Sequence, residues 1–363
     1  MRAFVVPAGS QQSDGLRAVE RPDPQPGRGQ VVVRVRAASL NYRDQMIAAG
    51  TYMGGAVARD TIPLSDGAGE VVAVGREATR FRPGDRVAAT FFQTPPSGAP
   101  FGAPAPLGSP LDGMLAEQVV AYEDGLVAIP SSLSFEEAAC LPCAGVTAWH
   151  ALMHAGKPVT AGHTVLVLGT GGVSIFALQF AVASGARVIV TSSSDEKIAR
   201  AKALGASDGV NYRKAPDWEK AVLDITGGRG VDCVVEVVGA ATLDRSFQTM
   251  ARGGKTVLVG VLGGGNGDVH PYLLMGKYGN LHGIFVGDRD MFQEMNRAIE
   301  VNEIRPVIDR VFPFTDAVAA YRYHKSGQFM GKVVISIGFR VFVSSWLHFE
   351  AAGRSGQSME TWL

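Results

Sequence analysis

The chain is short of cysteine and carries no excess of either charge. Its 363 residues include three cysteines, Cys140, Cys143 and Cys233, which are too few for a disulfide framework. Basic and acidic side chains number 34 each, so no net charge attracts nucleic acid or an anionic membrane. The chain opens without the basic segment and apolar core of a secretion signal. We therefore expect a cytoplasmic protein that acts on a small-molecule substrate and binds neither nucleic acid nor membrane.

Formal charge is also missing from residues 158–186. A stretch of this length and apolarity could be read as a membrane span. However, residues 165–168 are rich in β-branched side chains and stop at a glycine cluster, and helix-favouring residues follow over 175–183, so the periodicity changes midway. The stretch therefore predicts a strand, a tight glycine turn and a buried helix, with a second strand after it.

The length and a change of pattern predict two domains. Residues 1–125 are short β-branched runs between Gly, Pro and Asp turns, which is typical of a barrel. Residues 126–287 alternate strands and helices, which predicts an α/β fold with a doubly wound parallel sheet. Residues 288–337 should return to the first domain through a last strand, and the tail 338–363 is polar and glycine-rich enough to be disordered beyond 352, with an extra edge segment as the alternative. The six expected strands of the sheet are 164–168, 187–191, 209–211, 232–237, 255–260 and 281–286.

The glycine turn at 169–174 indicates a dinucleotide site. A helix N-terminus offers unpaired N–H groups and a partial positive charge to a pyrophosphate, provided that no side chain intrudes. Gly169, Gly171 and Gly172 keep that space clear, and Val173 beside them is a further candidate cofactor contact. Ser174 stands where the G-x-G-x-x-G pattern has its third glycine. Because glycine turns also occur in α/β domains that bind nothing, the turn alone does not decide the function.

The end of the second strand indicates which cofactor binds. An acidic residue there would hold the ribose hydroxyls of NAD and repel a 2′-phosphate. This chain has Ser192 and Ser193 at that point, and Lys197 follows about one turn later. We therefore expect NADPH, with NADH as the alternative because two acidic residues are close by.

A purely structural reading of the same segment also stays open. Ser193 and Glu196 have the spacing of a capping box for a helix over 195–204. In that reading Lys197 and Arg200 would lie on a solvated helix face.

The order of barrel, glycine turn and return segment resembles the medium-chain dehydrogenase/reductase superfamily over residues 1 to about 337. Pro-Gly-Asp-Arg-Val at 83–87 looks like its barrel turn, and Pro-Cys-Ala-Gly-Val-Thr-Ala-Trp at 142–149 looks like the segment before its cofactor domain. The resemblance implies a GroES-like β-barrel domain beside a Rossmann domain, and an oxidoreductase that uses a nicotinamide cofactor.

The branch of the superfamily is indicated by missing metal ligands. Zinc alcohol dehydrogenases of this superfamily hold the catalytic metal with Cys, His and Cys. The matching segments have Asn41 and Asp66 at the first two positions and leave only Cys143, and an amide is a poor zinc ligand, so we expect no metal. The proline-rich loop 94–110 lies where the structural zinc lobe would be and contains no cysteine. Zinc held by altered ligands remains an alternative.

The remaining motifs, at 39–44, 50–52 and 63–70, look like the zinc-independent, quinone-oxidoreductase-like branch. That resemblance implies hydride transfer from NADPH to a quinone, enone or related carbonyl, in a homodimer joined through the strand 281–286. Asn41 and Tyr52 are then the candidate catalytic residues, Asn41 as a hydrogen-bond donor and Tyr52 as a donor of a hydrogen bond or of the proton. The other implied cofactor contacts are Thr147, Tyr212 near the 2′-phosphate, Val238, Gly239, Val261, Phe285, Val286 and Lys332 near the pyrophosphate. A non-catalytic NADPH-binding sensor or structural protein is the alternative from another class.

Overall fold

The protein is described from a computed structural model, which describes residues 1–93, 105–264 and 266–338. Most of the proline-rich loop and the tail 339–363, which we expect to be partly disordered, lie outside the described residues. The strands are β1 (Arg2–Val5), β2 (Arg17–Glu20), β3 (Gln30–Ser39), β4 (Asp66–Val74), β5 (Arg86–Ala89), β6 (Phe92–Gln93), β7 (Ala105–Pro106), β8 (Gln118–Tyr122), β9 (Leu126–Ala128), β10 (Thr164–Leu168), β11 (Arg187–Ser192), β12 (Asp208–Asn211), β13 (Val231–Glu236), β14 (Met250–Leu258), β15 (Asn280–Gly283), β16 (Ile308–Pro313) and β17 (Lys332–Ser336). The α-helices are α1 (Tyr42–Ala48), α2 (Phe135–Ala138), α3 (Val146–Trp149), α4 (Gly172–Ala183), α5 (Asp195–Ala203), α6 (Trp218–Ile225), α7 (Ala240–Thr249), α8 (Pro271–Gly276), α9 (Arg289–Val301) and α10 (Ala317–Lys325).

The predicted doubly wound sheet is confirmed. Six strands lie in the order β12-β11-β10-β13-β14-β15, and every neighbouring pair is parallel. The chain runs outward from β10 to β12, then crosses back and runs outward from β13 to β15. The carboxyl ends of β10 and β13 therefore flank the point where the winding reverses, which is where open α/β sheets bind their ligands.

The uncharged stretch forms the strand, turn and helix that its pattern predicts. All five residues of β10 are buried, and α4 buries seven of its twelve, Ser174, Ile175, Phe176, Ala177, Leu178, Phe180 and Ala181. A helix this short and covered on most sides belongs to a protein core rather than a bilayer. Within the part of the chain that the structure describes, no helix is long and apolar enough to cross a membrane.

The β-rich part of the chain closes around a second core. Strand β3 pairs antiparallel with β4 and β8, and β5 joins β4 to β9. Strand β9 lies just past the expected domain boundary at residue 125 and still pairs with this sheet. The return segment reaches the same sheet, because β17 pairs antiparallel with β3. The first residue of β17, Lys332, is thereby placed beside the glycine turn, where Gly331 and Gly171 also form a bridge.

Strand β15 is shorter than the sequence predicts. It ends at Gly283, whereas we expect the strand to extend to residue 286. Beyond the strand, Val286 has a φ of 54°, which is incompatible with a continued strand, and its carbonyl accepts a 2.7 Å hydrogen bond from the ring of His150. Phe285 and Val286 are thus presented on a loop.

Candidate active site

A cleft of about 1860 Å³ runs along the carboxyl ends of β10 and β13 and is closed on its other side by the β-rich domain. It is lined by all but one of the predicted site residues: Asn41, Tyr52, Thr147, Gly169, Gly171, Gly172, Val173, Ser192, Ser193, Lys197, Tyr212, Val238, Val261, Phe285, Val286 and Lys332. Gly239 is the exception. Its φ of 92° and its N–H bond to Glu236 give it a structural role at the edge of the cleft.

The glycine turn leaves room for a phosphate. A Cβ added at Gly169 or Gly171 would meet nothing within 4 Å, and Gly169 has a φ of 73° that favours glycine. Gly171 caps α4 without a side-chain hydrogen bond, so the first N–H groups of the helix stay available to an anion. Ser174, in place of the third glycine, is buried and donates a 2.7 Å hydrogen bond to the carbonyl of Leu168. The departure from the motif therefore ties the helix back to the strand.

The serine-rich end of β11 lies where the sequence predicts, but the helix cap does not. Ser194 caps α5 and accepts from the N–H of Lys197, so the predicted capping box at Ser193 is wrong by one residue. Ser192 and Ser193 are thereby left facing the cleft. Sequence periodicity fixes helix ends to within a few residues only, which is why neighbouring serines could not be told apart.

Arg200 lies on an exposed face of α5, as the structural reading expects, whereas Lys197 is partly buried. The Lys197 ammonium donates to the carbonyls of Gly327 and Phe329, and Arg200 lies 3.6 Å from Asp309. Partial burial lowers the pKa of Lys197. Tyr212, which follows β12, is about two-fifths exposed at the same end of the cleft.

A buried carboxylate holds the loop after β13. Glu236 is fully buried, and its Oε1 accepts from the N–H of Val238 at 2.7 Å, the N–H of Gly239 at 3.1 Å and the hydroxyl of Thr242 at 2.9 Å. Its Oε2 accepts from the Ser246 hydroxyl at 2.5 Å. The loop that carries Val238 to the cleft is therefore fixed by one side chain from the core.

The opposite wall of the cleft is mostly apolar. Thr147, buried on α3, and Val286 lie where the resemblance predicts contacts to the nicotinamide. Phe285 is half-exposed and packs edge-on against Phe91, with ring centroids 5.9 Å apart. Val261 is also nearly half-exposed on the loop after β14. This wall can exclude water from one face of a bound ring.

A polar cluster of three side chains lies where the glycine turn meets the β-rich domain. The ammonium of Lys332 donates to the Leu40 carbonyl at 2.7 Å and to Asn41 Oδ1 at 2.6 Å, and lies 3.6 Å from Asp66 Oδ2. Asp66 in turn accepts from the N–H of Cys143 at 3.2 Å. The sequence predicts Lys332 near the pyrophosphate. Its aliphatic stem does lie at the glycine turn, since a Cβ at Gly172 would be 2.8 Å from Lys332 Cδ. Its ammonium, however, is hydrogen-bonded within this cluster.

Tyr52 borders the same end of the cleft beside a residue that the sequence reading missed. The Arg43 guanidinium lies over the Tyr52 ring at 5.0 Å and over the Phe91 ring at 4.7 Å, and it donates to the Leu107 carbonyl. Arg43 lies within the motif at residues 39–44, so the motif could have directed attention to it. The contact could not be anticipated, because Phe91 is distant in sequence.

The two halves of the chain match two protein-family models. The alcohol dehydrogenase GroES-like domain matches residues 27–131, and the zinc-binding dehydrogenase domain matches residues 172–300. A zinc-type alcohol dehydrogenase-like protein of Schizosaccharomyces pombe is 44% identical over 319 residues, which cover 85% of this chain and 91% of that protein. The chain belongs to the medium-chain dehydrogenase/reductase superfamily. The predicted GroES-like and Rossmann-type domains are thereby confirmed, and so is the expectation of an NAD(P)H-dependent oxidoreductase.

Two further relatives carry different activities in their names. The human quinone oxidoreductase is 28% identical over 321 residues, covering 86% of this chain and 90% of that protein. A solved structure of an NAD-dependent alcohol dehydrogenase superposes with a TM-score of 0.84 at 33% identity, covering 93% of this chain and 100% of the other. One of these relatives is a quinone oxidoreductase and the other an alcohol dehydrogenase, so membership of the superfamily does not by itself assign a substrate.

The residues that stand at the superfamily's zinc position in this oxidoreductase do not suit the metal. Asn41, Asp66 and Cys143 supply one amide, one carboxylate and one thiol, and an amide is a poor ligand for zinc, which prefers thiolate and imidazole. The Lys332 ammonium already lies within this group. Among the described residues, no three His, Cys, Asp or Glu side chains are grouped so that they could hold a metal ion.

His324 is a second cleft residue that the sequence reading missed. It lies on α10 in the return segment, stacks on Phe329 and meets Gln45 at 3.4 Å. Burial lowers the pKa of His324 to about 3, so the ring is neutral at physiological pH and offers no charge to a phosphate. No local motif marks it, because only the return of the chain brings it to the cleft.

Asp44 should make the stability of the protein depend on pH. Burial raises the pKa of Asp44 to about 6, against the opposing effects of Arg43 and of the Asn41 N–H that donates to it at 2.7 Å. Between about pH 4 and pH 6 the folded state thus holds a proton that the unfolded chain releases, so this contribution to stability falls as pH rises through that range.

The change Asp44→Asn keeps an acceptor for the Asn41 N–H and removes the titration. We expect the variant to gain free energy of unfolding relative to the wild type between pH 4 and pH 7, with a constant difference outside that range. Urea unfolding at several pH values measures this, and parallel pH profiles for the two proteins would show that folding does not raise the pKa of Asp44.

Proposed function

We propose that the protein is an NADPH-dependent reductase of quinones, enones or related carbonyl compounds and that it needs no metal. The observation that carries this proposal is the replaced metal position, where Asn41 and Asp66 surround the ammonium of Lys332. A buried cation that is covalently part of the chain fills the electrostatic role that a metal would have there. The superfamily contains quinone oxidoreductases, one of which is a relative of this chain.

The proposed preference for NADPH rests on the charges at the end of β11. Ser192 and Ser193 offer hydroxyl groups, and no acidic residue of β11 lines the cleft at that point. A 2′-phosphate placed there would also meet Lys197, which lines the same part of the cleft. The NAD-dependent alcohol dehydrogenase among the structural relatives favours the alternative, NADH.

When bound, the cofactor supplies the hydride. The glycine turn and the N-terminus of α4 would hold its pyrophosphate, and Thr147, Val238 and Val286 would orient its reactive ring. Asn41 Nδ2 donates a hydrogen bond to the substrate oxygen as negative charge develops on it, which lowers the barrier. Tyr52 donates a hydrogen bond or the proton to the same region of the substrate, and solvent can replace it as the proton source.

The proposal extends to assembly and location. Strand β15 is the edge of the parallel sheet, and Leu281 on it and Tyr272, Met275 and Tyr278 just before it are exposed. An unpaired edge with apolar side chains suits pairing with a second copy. We propose a cytoplasmic homodimer with a small-molecule substrate and with no nucleic-acid or membrane partner.

A substrate panel tests the proposed reaction. We expect NADPH oxidation, followed by its absorbance, with quinones and enones, and no turnover without them. Firm NADPH binding with no oxidation across quinones, enals and aldehydes would instead favour a sensor or structural protein. One equivalent of zinc retained after dialysis would favour a zinc-type dehydrogenase with altered ligands.

A further inference from the structure

The amide of Asn41 is satisfied on one side only. Its Oδ1 accepts from the Lys332 ammonium at 2.6 Å, whereas its Nδ2 is buried and has no hydrogen-bond partner. Buried donors are almost always paired, so an unpaired one in a cleft wall calls for a partner that arrives with a ligand. Asn41 lines the cleft together with Tyr52 and Thr147.

The orientation of this amide follows from the chemistry of its neighbour. An ammonium group has three donors and no acceptor, so only the oxygen of Asn41 can face it. A flipped amide would place donor against donor. Lys332 therefore decides that the nitrogen of Asn41 is left for the ligand.

Lys332 is itself held on several sides. It is 3% exposed, donates to the Leu40 carbonyl at 2.7 Å and lies 3.6 Å from Asp66. Its stem packs against the glycine turn, since a Cβ at Gly172 would lie 2.8 Å from Lys332 Cδ. The ammonium is therefore held in one place, where it can fix the orientation of the Asn41 amide.

We propose that Lys332 is a positioning residue, which orients and polarises Asn41 so that Asn41 Nδ2 donates to the oxygen of the carbonyl or enone substrate. A charge-assisted bond to the amide oxygen draws electron density from the nitrogen and strengthens its N–H as a donor. This inference rests on the proposed function. It differs from the sequence-based expectation that Lys332 contacts the pyrophosphate.

Kinetics of five variants separate the two roles. We expect Lys332→Met to lower kcat about 10- to 100-fold while the dissociation constant of NADPH, measured by fluorescence, stays nearly unchanged. Lys332→Arg should restore part of the lost kcat, because it keeps the charge and the donors. Lys332→Met alone leaves the buried Asp66 carboxylate without its cation, which could unfold the variant. Lys332→Met combined with Asp66→Asn removes both charges and controls for that effect. In an Asn41→Ala background, Lys332→Met should cause little further loss of kcat.

A contact to the pyrophosphate would give the opposite pattern. NADPH binding would weaken in Lys332→Met, while kcat at saturating cofactor would stay unchanged. The loss of NADPH affinity would be as large in the Asn41→Ala background as in the wild type. Any of these results would overturn the proposal.

NMR of the asparagine side chains tests the orientation without turnover. The protein is labelled with ¹⁵N-asparagine, and the side-chain amide signals of Asn41 are assigned by their loss in Asn41→Ala. These signals should shift and broaden in the double variant Lys332→Met with Asp66→Asn. In Lys332→Arg they should stay near their original positions. An unchanged Asn41 signal in the charge-free variant would overturn the inference. If the wild-type protein reduces nothing in the panel, the proposed function fails and this spectrum still decides whether Lys332 orients Asn41.

Discussion

Glu236→Ala is expected to destabilise the protein by about 3 kcal/mol or more, because each buried donor left unpaired costs about 1–3 kcal/mol. Four donors converge on this carboxylate: two backbone N–H groups and the hydroxyls of Thr242 and Ser246. The loop carrying Val238 and Gly239 would lose its anchor at the same time. NADPH affinity should therefore fall together with the free energy of unfolding, both measured on the same preparation.

The chain offers a matched control for this loss. Glu219 is also a buried glutamate of the cofactor domain, but its contact with Arg245 is looser, at 3.7 Å. Glu219→Ala should cost far less in urea unfolding, and Glu236→Gln should recover much of the loss because it keeps an acceptor for the loop. Equal losses for the two alanine variants would show that Glu236 does not anchor the loop.

Ser192→Asp is expected to weaken NADPH binding about 100-fold and to leave NADH binding equal or improved, since a carboxylate there repels a 2′-phosphate and can hold ribose hydroxyls. Ser192 is the last residue of β11 and lines the cleft. Fluorescence titration with each nucleotide measures the change.

Ser131→Asp adds the same charge at an exposed site that does not line the cleft. We expect it to leave both affinities close to those of the wild type. If Ser192→Asp weakened NADPH and NADH equally, or neither, the end of β11 would not select the cofactor.

Local patterns predict those features of the molecule that depend on neighbouring residues. The uncharged stretch gives β10, the turn and α4, because strand period, glycine conformation and helix propensity are all local. The resemblance also brings together residues far apart in sequence, such as Asn41 and Val286, which both line the cleft. The alternating strands and helices predict a doubly wound parallel sheet, but the order of its six strands comes from the structure.

Details that depend on one atom or one residue of register could not be predicted. Ser194 rather than Ser193 caps α5, since either serine has a hydroxyl and only the backbone decides between them. Lys332 lies beside the glycine turn as expected, yet its ammonium donates to the Leu40 carbonyl and to Asn41. These partners are close because β17 pairs with β3, the strand that leads into them. Arg43 and His324 line the cleft, but their contacts there involve residues distant in sequence and could not be predicted from a motif.

The rate of NADPH oxidation by protein dialysed against a chelator tests the central claim most directly. With metal content verified as negligible, we expect the dialysed enzyme to reduce a quinone or enone at the undialysed rate, and added zinc to leave that rate unchanged. Loss of activity on dialysis with recovery on adding zinc would contradict the account, since Asn41, Asp66 and Lys332 would then not replace the metal.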